Sequence, residues 1–244
     1  MISFIVPAHN EEAHVGASLG AIHESARAVG EPYEVIVVDD ASTDRTGEIA
    51  TAAQARVIRV EYRHISATRN AGAREAQGEI FFFVDADTLV NTDAVRASLA
   101  ALQQGAVAGG CLFRFDGQVP LWAKLIYPPG VVFSRCFKFV GGCCLFCHRE
   151  AFFQAGGFSE DHYAGEEVGL IRAWKRQGRF VVPRPTVVTS GRKLRAHSLK
   201  EVLTAVGRAF VRQCGKPSKQ REGLDLWYGE RKPDMLAPTC DAST

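Results

Sequence analysis

No apolar run in the 244-residue chain approaches the roughly 20 residues that a helical membrane span requires. The longest candidate, residues 119–147, is interrupted by Lys124, Pro128-Pro129-Gly130, Arg135 and Lys138. The N-terminus, Met-Ile-Ser-Phe-Ile-Val-Pro, has no basic leader and no cleavage pattern, because its apolar residues stop at Pro7. A cytoplasmic protein is therefore expected. Net charge is scarce as well, +2 in total, which argues against nucleic-acid binding. A Gly-x-Gly-x-x-Gly fingerprint is missing after the first apolar run, where residues 7–12 read Pro-Ala-His-Asn-Glu-Glu. That absence sets aside a dinucleotide dehydrogenase, and equally the Gly-rich loop of a sugar-nucleotide pyrophosphorylase.

A disulfide framework is not expected either, since the seven cysteines are odd in number and lie in apolar contexts. Cys144-Leu-Phe-Cys147-His148 matches a haem-attachment string, but haem attachment needs export, and a zinc site would need a second ligand pair. A core strand is the simpler reading of this stretch.

What the chain does contain is an alternation of short apolar runs and amphipathic stretches. Residues 2–8 read as a buried strand, and Asn10 as the cap of a helix that places Val15, Leu19 and Ile22 on one face. A second strand over 34–38 ends in Asp39-Asp40, and Ser42, Thr43 and Asp44 cap the helix that follows. A strand over 57–60, a helix over 67–76 and a strand over 80–84 complete the rhythm, the last running into Asp85-Ala-Asp87. Such alternation predicts an α/β fold, a mostly parallel sheet flanked by helices, with its strand C-termini along one edge. Ligands bind at that edge in open sheets of this kind. Acidic strand ends at Asp39-Asp40 and at Asp85 and Asp87, meeting there beside Pro7, are hard to reconcile with core packing, because unpaired buried carboxylates are costly. Asp85 and Asp87 suit a hard divalent ion such as Mn²⁺ or Mg²⁺ together with the phosphates it carries. Helix capping is the plainer reading of that short string taken alone.

Beyond Asp87 the spacing predicts a helix over 92–103, a strand over 106–115, and a helical stretch over 121–139 kinked or broken at Pro128-Pro129. A short strand after Gly141-Gly142, a helical turn over 150–155, a helix over 166–177 and strands over 180–182 and 186–189 follow. Ser198 and Glu201 form a capping box for an amphipathic helix over 198–214, ahead of a polar tail over 215–244. From Arg172 to Lys232 there are 16 Lys or Arg against 4 Asp or Glu. Peripheral contact with an anionic membrane through this basic C-terminal region is one expectation; a solvated helix face is the other.

The ordered series Pro7-Ala-His-Asn-Glu11, Val38-Asp39-Asp40-Ala-Ser-Thr-Asp44, Arg69-Asn-Ala-Gly72, Asp85-Ala-Asp87, Gly141-Gly142, Arg149-Glu-Ala-Phe152, Gly156-Gly157-Phe158 and Glu166-Glu167 resembles the family 2 glycosyltransferases of the GT-A fold. The resemblance implies one GT-A domain over 1–197, with a nucleotide-binding half over 1–90 and an acceptor-side half over 91–197. It implies inverting transfer of a sugar from a nucleoside-diphosphate sugar to a hydroxyl or phosphate of a glycan or lipid. On family frequency UDP is favoured, with GDP second. Pro7, His9 and Glu11 would line the nucleoside pocket, Asp40 with Asp39 would meet the base, and Arg69 would sit beside base or diphosphate. Asp85 would contact ribose and sugar and share the metal with Asp87, with His197 as a further ligand. Arg192, together with Lys193 and Arg195, would close over the diphosphate.

The general base is where the chain departs from the family, which usually has Glu-Asp where this chain has Glu166-Glu167. Glu167 takes the base position with one extra methylene, and Glu166 would help orient the acceptor. The same departure leaves a non-catalytic sugar-nucleotide-binding or scaffold protein of this fold as the alternative. A haloacid-dehalogenase-type phosphatase is disfavoured by Leu89, where its motif has Thr or Val.

Overall fold

The computed structural model describes residues 1–161, 165–202 and 204. Its first part alternates as the sequence predicts: β1 (Ile2–Ala8), α1 (Val15–Val29), β2 (Tyr33–Asp40), α2 (Thr46–Ala52), β3 (Arg56–Val60), α3 (Ile65–Glu75) and β4 (Ile80–Val84). The remainder comprises β5 (Thr88–Leu89), α4 (Thr92–Gln103), β6 (Ala106–Gly110), β7 (Leu112–Phe115), α5 (Leu121–Phe137), β8 (Cys144–His148), α6 (Arg149–Gln154), α7 (Glu166–Gln177), β9 (Arg179–Val181), β10 (Thr186–Thr189) and α8 (Arg192–Ala196). A seven-stranded sheet has the order β3-β2-β1-β4-β8-β6-β9, and a small second sheet the order β5-β10-β7. The large sheet is parallel except at β8, which runs antiparallel to both β4 and β6.

The Phe-Phe-Phe-Val run of β4 is apolar throughout because both faces of the sheet are covered. Successive side chains point to opposite faces. Phe82 and Val84 join the cluster under α1 and α4 with Leu19, Val95 and Leu99, while Phe81 and Phe83 join the cluster under α3, α6 and α7 with Ala71, Phe152 and Trp174. Cys144 belongs to the first cluster and Cys147 to the second. The two thiols thus face opposite sides of the sheet and cannot grip one ion together.

The β1–β4 ladder ends at the pair Ile5 and Phe83, whereas β1 stays paired with β2 as far as Ala8 and Asp39. Pro7, which has no N–H to give, lies beyond the last β4 partner. β1 and β4 therefore separate at their C-terminal ends, at the point where strand order reverses, and open a crevice there.

Four local expectations are corrected. Residues 106–115 do not form one strand: the chain turns at Cys111, whose N–H donates to the Cys144 carbonyl, and β7 pairs with β10 in the second sheet. The helix over 121–137 is continuous through Pro128 and Pro129. Lys124 and Leu125, whose carbonyls lose their donors, are exposed to water, which blunts the penalty. Asn10 does not cap α1, which begins at Val15; it sits at φ 50° and accepts from the Thr43 N–H at 2.8 Å. The segment 192–196, given no element between the strand over 186–189 and the helix from Ser198, is the short helix α8. The capping box at Ser198 and Glu201 is present, with Ser198 N–H donating to Glu201 Oε2 at 2.7 Å. The rest of the amphipathic helix over 198–214, apart from its first turn, and the tail over 215–244 lie outside the described residues.

Candidate active site

The loops after β1 and β2 are laced together by the residues that made those stretches conspicuous. Asn10 N–H donates to Ser42 Oγ at 3.0 Å, Glu11 N–H to Thr46 Oγ1 at 2.7 Å, and Glu12 N–H to Asp44 Oδ2 at 3.1 Å. Asp44 in turn receives the Thr46 N–H at 3.0 Å, which starts α2. The bonds from Thr46, Glu12 and the backbone hold the Asp44 carboxyl below the usual range despite some burial. His9 Nδ1 bonds the Asp40 carbonyl at 2.7 Å. Both Asp40 oxygens are engaged within the chain, Oδ1 by the Arg63 N–H at 2.7 Å and Oδ2 by the His64 N–H at 3.0 Å and the Thr68 hydroxyl at 2.8 Å. Asp40 thus ties the loop before α3 to the end of β2, while Asp39 receives, among the described residues, a 3.2 Å bond from the Ser42 N–H at Oδ1.

Arg69 is the hub of the site. Its side chain is 3% exposed and donates to Asp85 Oδ1 at 2.7 Å, to Glu166 Oε1 at 2.5 Å and to the Gly142 carbonyl at 3.0 Å. The guanidinium lies over the Phe158 ring at 5.1 Å. One buried cation thereby joins the strand-end acid of β4 to the acid pair that opens α7. Its proton affinity is raised: burial opposes the charge, but Asp85 and Glu166 outweigh it. Asn70 beside it fixes the ring, accepting from Phe158 N–H at 3.0 Å and donating to the Phe158 carbonyl at 2.9 Å and to Glu160 Oε1 at 2.9 Å.

A second cation stands between the other two acids. Arg192, delivered by α8, makes a forked pair with Glu11 at 2.6 and 2.9 Å and reaches Asp87 Oδ2 at 3.0 Å. Burial pushes the Asp87 carboxyl up, with Arg192 pulling the other way. Arg192 itself is shifted upward, since bonds and charge from Glu11 and the charges of Asp87 and Asp85 exceed the cost of its burial. Asp87 is also pinned by its main chain, its carbonyl accepting from the Ser190 N–H at 3.1 Å. Arg195 is held elsewhere in part, at 2.9 Å from Asp116 Oδ1.

The two acids of α7 differ. Glu166 is buried and committed to Arg69. Glu167 is pushed up to about 8, first by burial and then by the neighbouring Glu166 charge, against the pull of Arg69. A carboxylate held there takes a proton readily near neutral pH, which is what a general base must do. Gly165, at φ 73°, turns the chain into α7 so that both acids fall in its first turn. Pro7, His9, Glu11, Asp39, Asp40, Arg69, Asp85, Asp87, Glu166, Glu167 and Arg192 are thus gathered around the ends of β1, β2 and β4 and the start of α7. His197 follows α8 with Nδ1 3.8 Å from Glu201. Among the described residues no ready cluster of three or more metal-ligating side chains is present. Sequence reasoning missed Asn70, Phe158 and the Gly142 carbonyl as partners of the site, although each lay in a motif it had singled out.

The profile of the Glycosyl transferase family 2 matches residues 3–154. A validoxylamine A glucosyltransferase of Streptomyces hygroscopicus subsp. jinggangensis is 30% identical over 130 residues, covering 49% of this chain and 30% of its own length. A dolichol-phosphate mannosyltransferase of Pyrococcus furiosus is 27% identical over 143 residues, covering 55% of this chain and 40% of its own. The chain thus spans less than half the length of these curated relatives. In fold it is similar to the mannosyltransferase PcManGT of Pyrobaculum calidifontis, solved with GDP-Man and Mn²⁺, at a TM-score of 0.69 and 22% identity over 93% of this chain and 68% of that one. It is also similar to glucosyl-3-phosphoglycerate synthase of Mycobacterium tuberculosis, solved with Mn²⁺ and UDP, at a TM-score of 0.60 and 24% identity over 90% and 81%. The profile match runs from β1 to the end of α6, more than half of the chain, and takes in the whole acidic strand edge: the chain belongs to the family 2 glycosyltransferases.

Proposed function

We propose that this chain transfers a sugar from a nucleoside-diphosphate sugar to an acceptor hydroxyl or phosphate, with Glu167 as general base. The observation that carries the proposal is the Arg69 bridge, which couples Asp85 on the donor side to the acid pair of α7. In an inverting displacement the acceptor must lose its proton on the face of the sugar opposite the leaving diphosphate. Glu166 is neutralised by Arg69 and unsuited to that task. Glu167, held up to about 8, is suited to it. Asp39 has fewer internal bonds than Asp40 and is the better partner for a nucleobase, while Pro7, His9 and Glu11 wall the nucleoside side of the crevice.

The donor set fits a divalent cation. Glu11 and Asp87 already surround a positive charge, the Arg192 guanidinium, and hard carboxylate oxygens suit Mn²⁺ or Mg²⁺. Asp85 and Asp87 would hold the ion, which would supply charge stabilisation for the leaving diphosphate. Arg192 would then exchange its pairing with Asp87 for the diphosphate oxygens. The Mn²⁺ complexes named for the two structural neighbours are consistent with this reading, as are their GDP-Man and UDP ligands.

Turnover of UDP- and GDP-sugars with Mn²⁺, with wild type against Glu167→Gln, tests the reading. Release of nucleoside diphosphate by wild type, lost in the variant while donor binding persists, is the expected result. Donor binding without any turnover by wild type would instead make the chain a sugar-nucleotide-binding protein.

A further inference from the structure

Helix α5 is an anomaly in this fold. Of its 17 residues only Ala123 is buried, although the sequence is strongly apolar. Leu121, Leu125, Ile126, Val132, Phe133 and Phe137 are 50% to 72% exposed. At 100° per residue these six fall within an arc of about 160°, so they form one continuous face rather than scattered contacts. Soluble surfaces rarely leave so large an apolar patch bare.

Charge says what covers it. Residues 117–149 contain Lys124, Arg135, Lys138 and Arg149 and no Asp or Glu at all. On the same helical wheel Lys124 and Arg135 lie side by side along one border of the apolar arc. An apolar face bordered by basic side chains is the pattern of a helix lying in the plane of an anionic lipid surface. The competing occupants fit less well. A second copy meeting this face with its helix antiparallel across a twofold axis would set Lys124 and Arg135 against their own equivalents. Residues 205–244 of this chain carry 7 Lys or Arg against 5 Asp or Glu, the same sign as the helix.

We propose that α5 is a docking face for an anionic membrane surface, with its apolar arc at the level of the lipid acyl boundary and Lys124 and Arg135 among the headgroup phosphates. Continuity with the crevice supports this: five residues after Phe137 the chain reaches Gly142, whose carbonyl receives Arg69, and Cys143, whose carbonyl receives the Asp85 N–H at 3.0 Å. At about 3.5 Å per residue, the five residues from Phe137 to Gly142 span at most about 18 Å, so the end of α5 lies within that reach of the Arg69 contact at the crevice. The inference does not depend on the role given to Glu167 or Asp87, because it concerns attachment alone.

Co-sedimentation of the full chain with vesicles tests it, comparing phosphatidylcholine alone with a mixture containing anionic phosphatidylglycerol, at low and high salt. The wild type should sediment with the anionic vesicles, weakly with the neutral ones, and less at high salt. The double variant Leu125→Glu, Phe133→Glu, both residues being exposed, should keep its melting temperature and lose at least about tenfold in vesicle affinity. A variant carrying Arg208→Glu, Arg212→Glu and Lys216→Glu should retain most of its binding. The proposal is overturned if the wild type ignores anionic vesicles, if the α5 variant binds as well as wild type, or if only the C-terminal variant loses binding. Sedimentation velocity on the same proteins covers the remaining outcome: a wild-type dimer that becomes monomeric in the α5 variant with vesicle binding unchanged would assign the face to a second copy.

Discussion

In the proposed reaction Glu167 and Arg192 carry the chemistry at the residue scale, and each makes a prediction that a purely structural role would not. Glu167 faces Glu166 on its own helix, Arg69 from α3 and Asp85 from the end of β4. With its carboxyl held up to about 8, the rate of transfer should climb with pH through that region in wild type and be roughly 10²- to 10⁴-fold lower in Glu167→Gln. The linkage has the opposite sign for stability. A folded-state value above the ordinary 4.5 means that folding takes up a proton between 4.5 and about 8, so this group's contribution is intact at low pH and declines as pH rises through that window. Glu167→Gln should therefore melt above wild type at pH 9 and close to it at pH 5. Equal melting at both pH values would show that the carboxyl is not held high.

Arg192 predicts a competition. Its removal in Arg192→Ala takes the guanidinium from between Glu11 and Asp87, a loss of about 1–3 kcal/mol. If the guanidinium stands where a divalent ion would lie, Mn²⁺ should raise the melting temperature of Arg192→Ala more than that of wild type. An equal Mn²⁺ shift in both proteins would separate the two positions. None of this was legible from local sequence, since Arg192 and Glu11 are 181 residues apart and only the tertiary fold reveals their pairing.

At the scale of elements, what could be read in advance was what local physics decides. Continuous apolar runs announced β1, β2 and β4, because strands covered on both faces have no polar side to show. The acids at their ends followed from the same runs. What escaped prediction was decided by distant partners: the turn at Cys111 depends on Cys144, and the conformation of Asn10 depends on Ser42 and Thr43. The motif Arg69-Asn-Ala-Gly72 shows both kinds of information in one helical turn. Arg69 and Asn70 face the site, whereas Gly72 lets α3 lie against the sheet, since a Cβ there would come within 2.5 Å of Ile5 Cγ2 and 2.9 Å of Val38 Cγ2. Gly72→Ala gains helix propensity of nearly 1 kcal/mol but must push α3 off the sheet at about 1–3 kcal/mol. A net fall in thermal stability is expected, with weakened nucleotide binding because Arg69 moves with the helix. An unchanged melting curve would mean that the helix shifts freely, and that Arg69 is less rigidly placed than its three bonds imply.

Across the whole molecule, the fold divides two tasks. The edge where β1, β2 and β4 end collects carboxylates around two arginines, and residues 117–143, between β7 and β8, collect exposed apolar and basic side chains with no acid among them. No helix among the described residues is long and apolar enough to cross a membrane. The separation of charge visible in the sequence, acidic early and basic late, is brought together in space where α8 returns Arg192 to the crevice. A donor diphosphate entering there would meet positive charge from α8 and, with a divalent ion, from the Asp85 and Asp87 side. The central claim is thus that the crevice between the ends of β1 and β4 is a metal-assisted nucleoside-diphosphate site. Calorimetric titration of UDP, GDP and dTDP, each with and without Mn²⁺, on wild type and Asp87→Ala, tests it most directly. The account predicts that one nucleotide binds only weakly without Mn²⁺, that Mn²⁺ tightens it at least about tenfold, and that Asp87→Ala abolishes the gain; failure of all three to bind wild type with Mn²⁺ would contradict it.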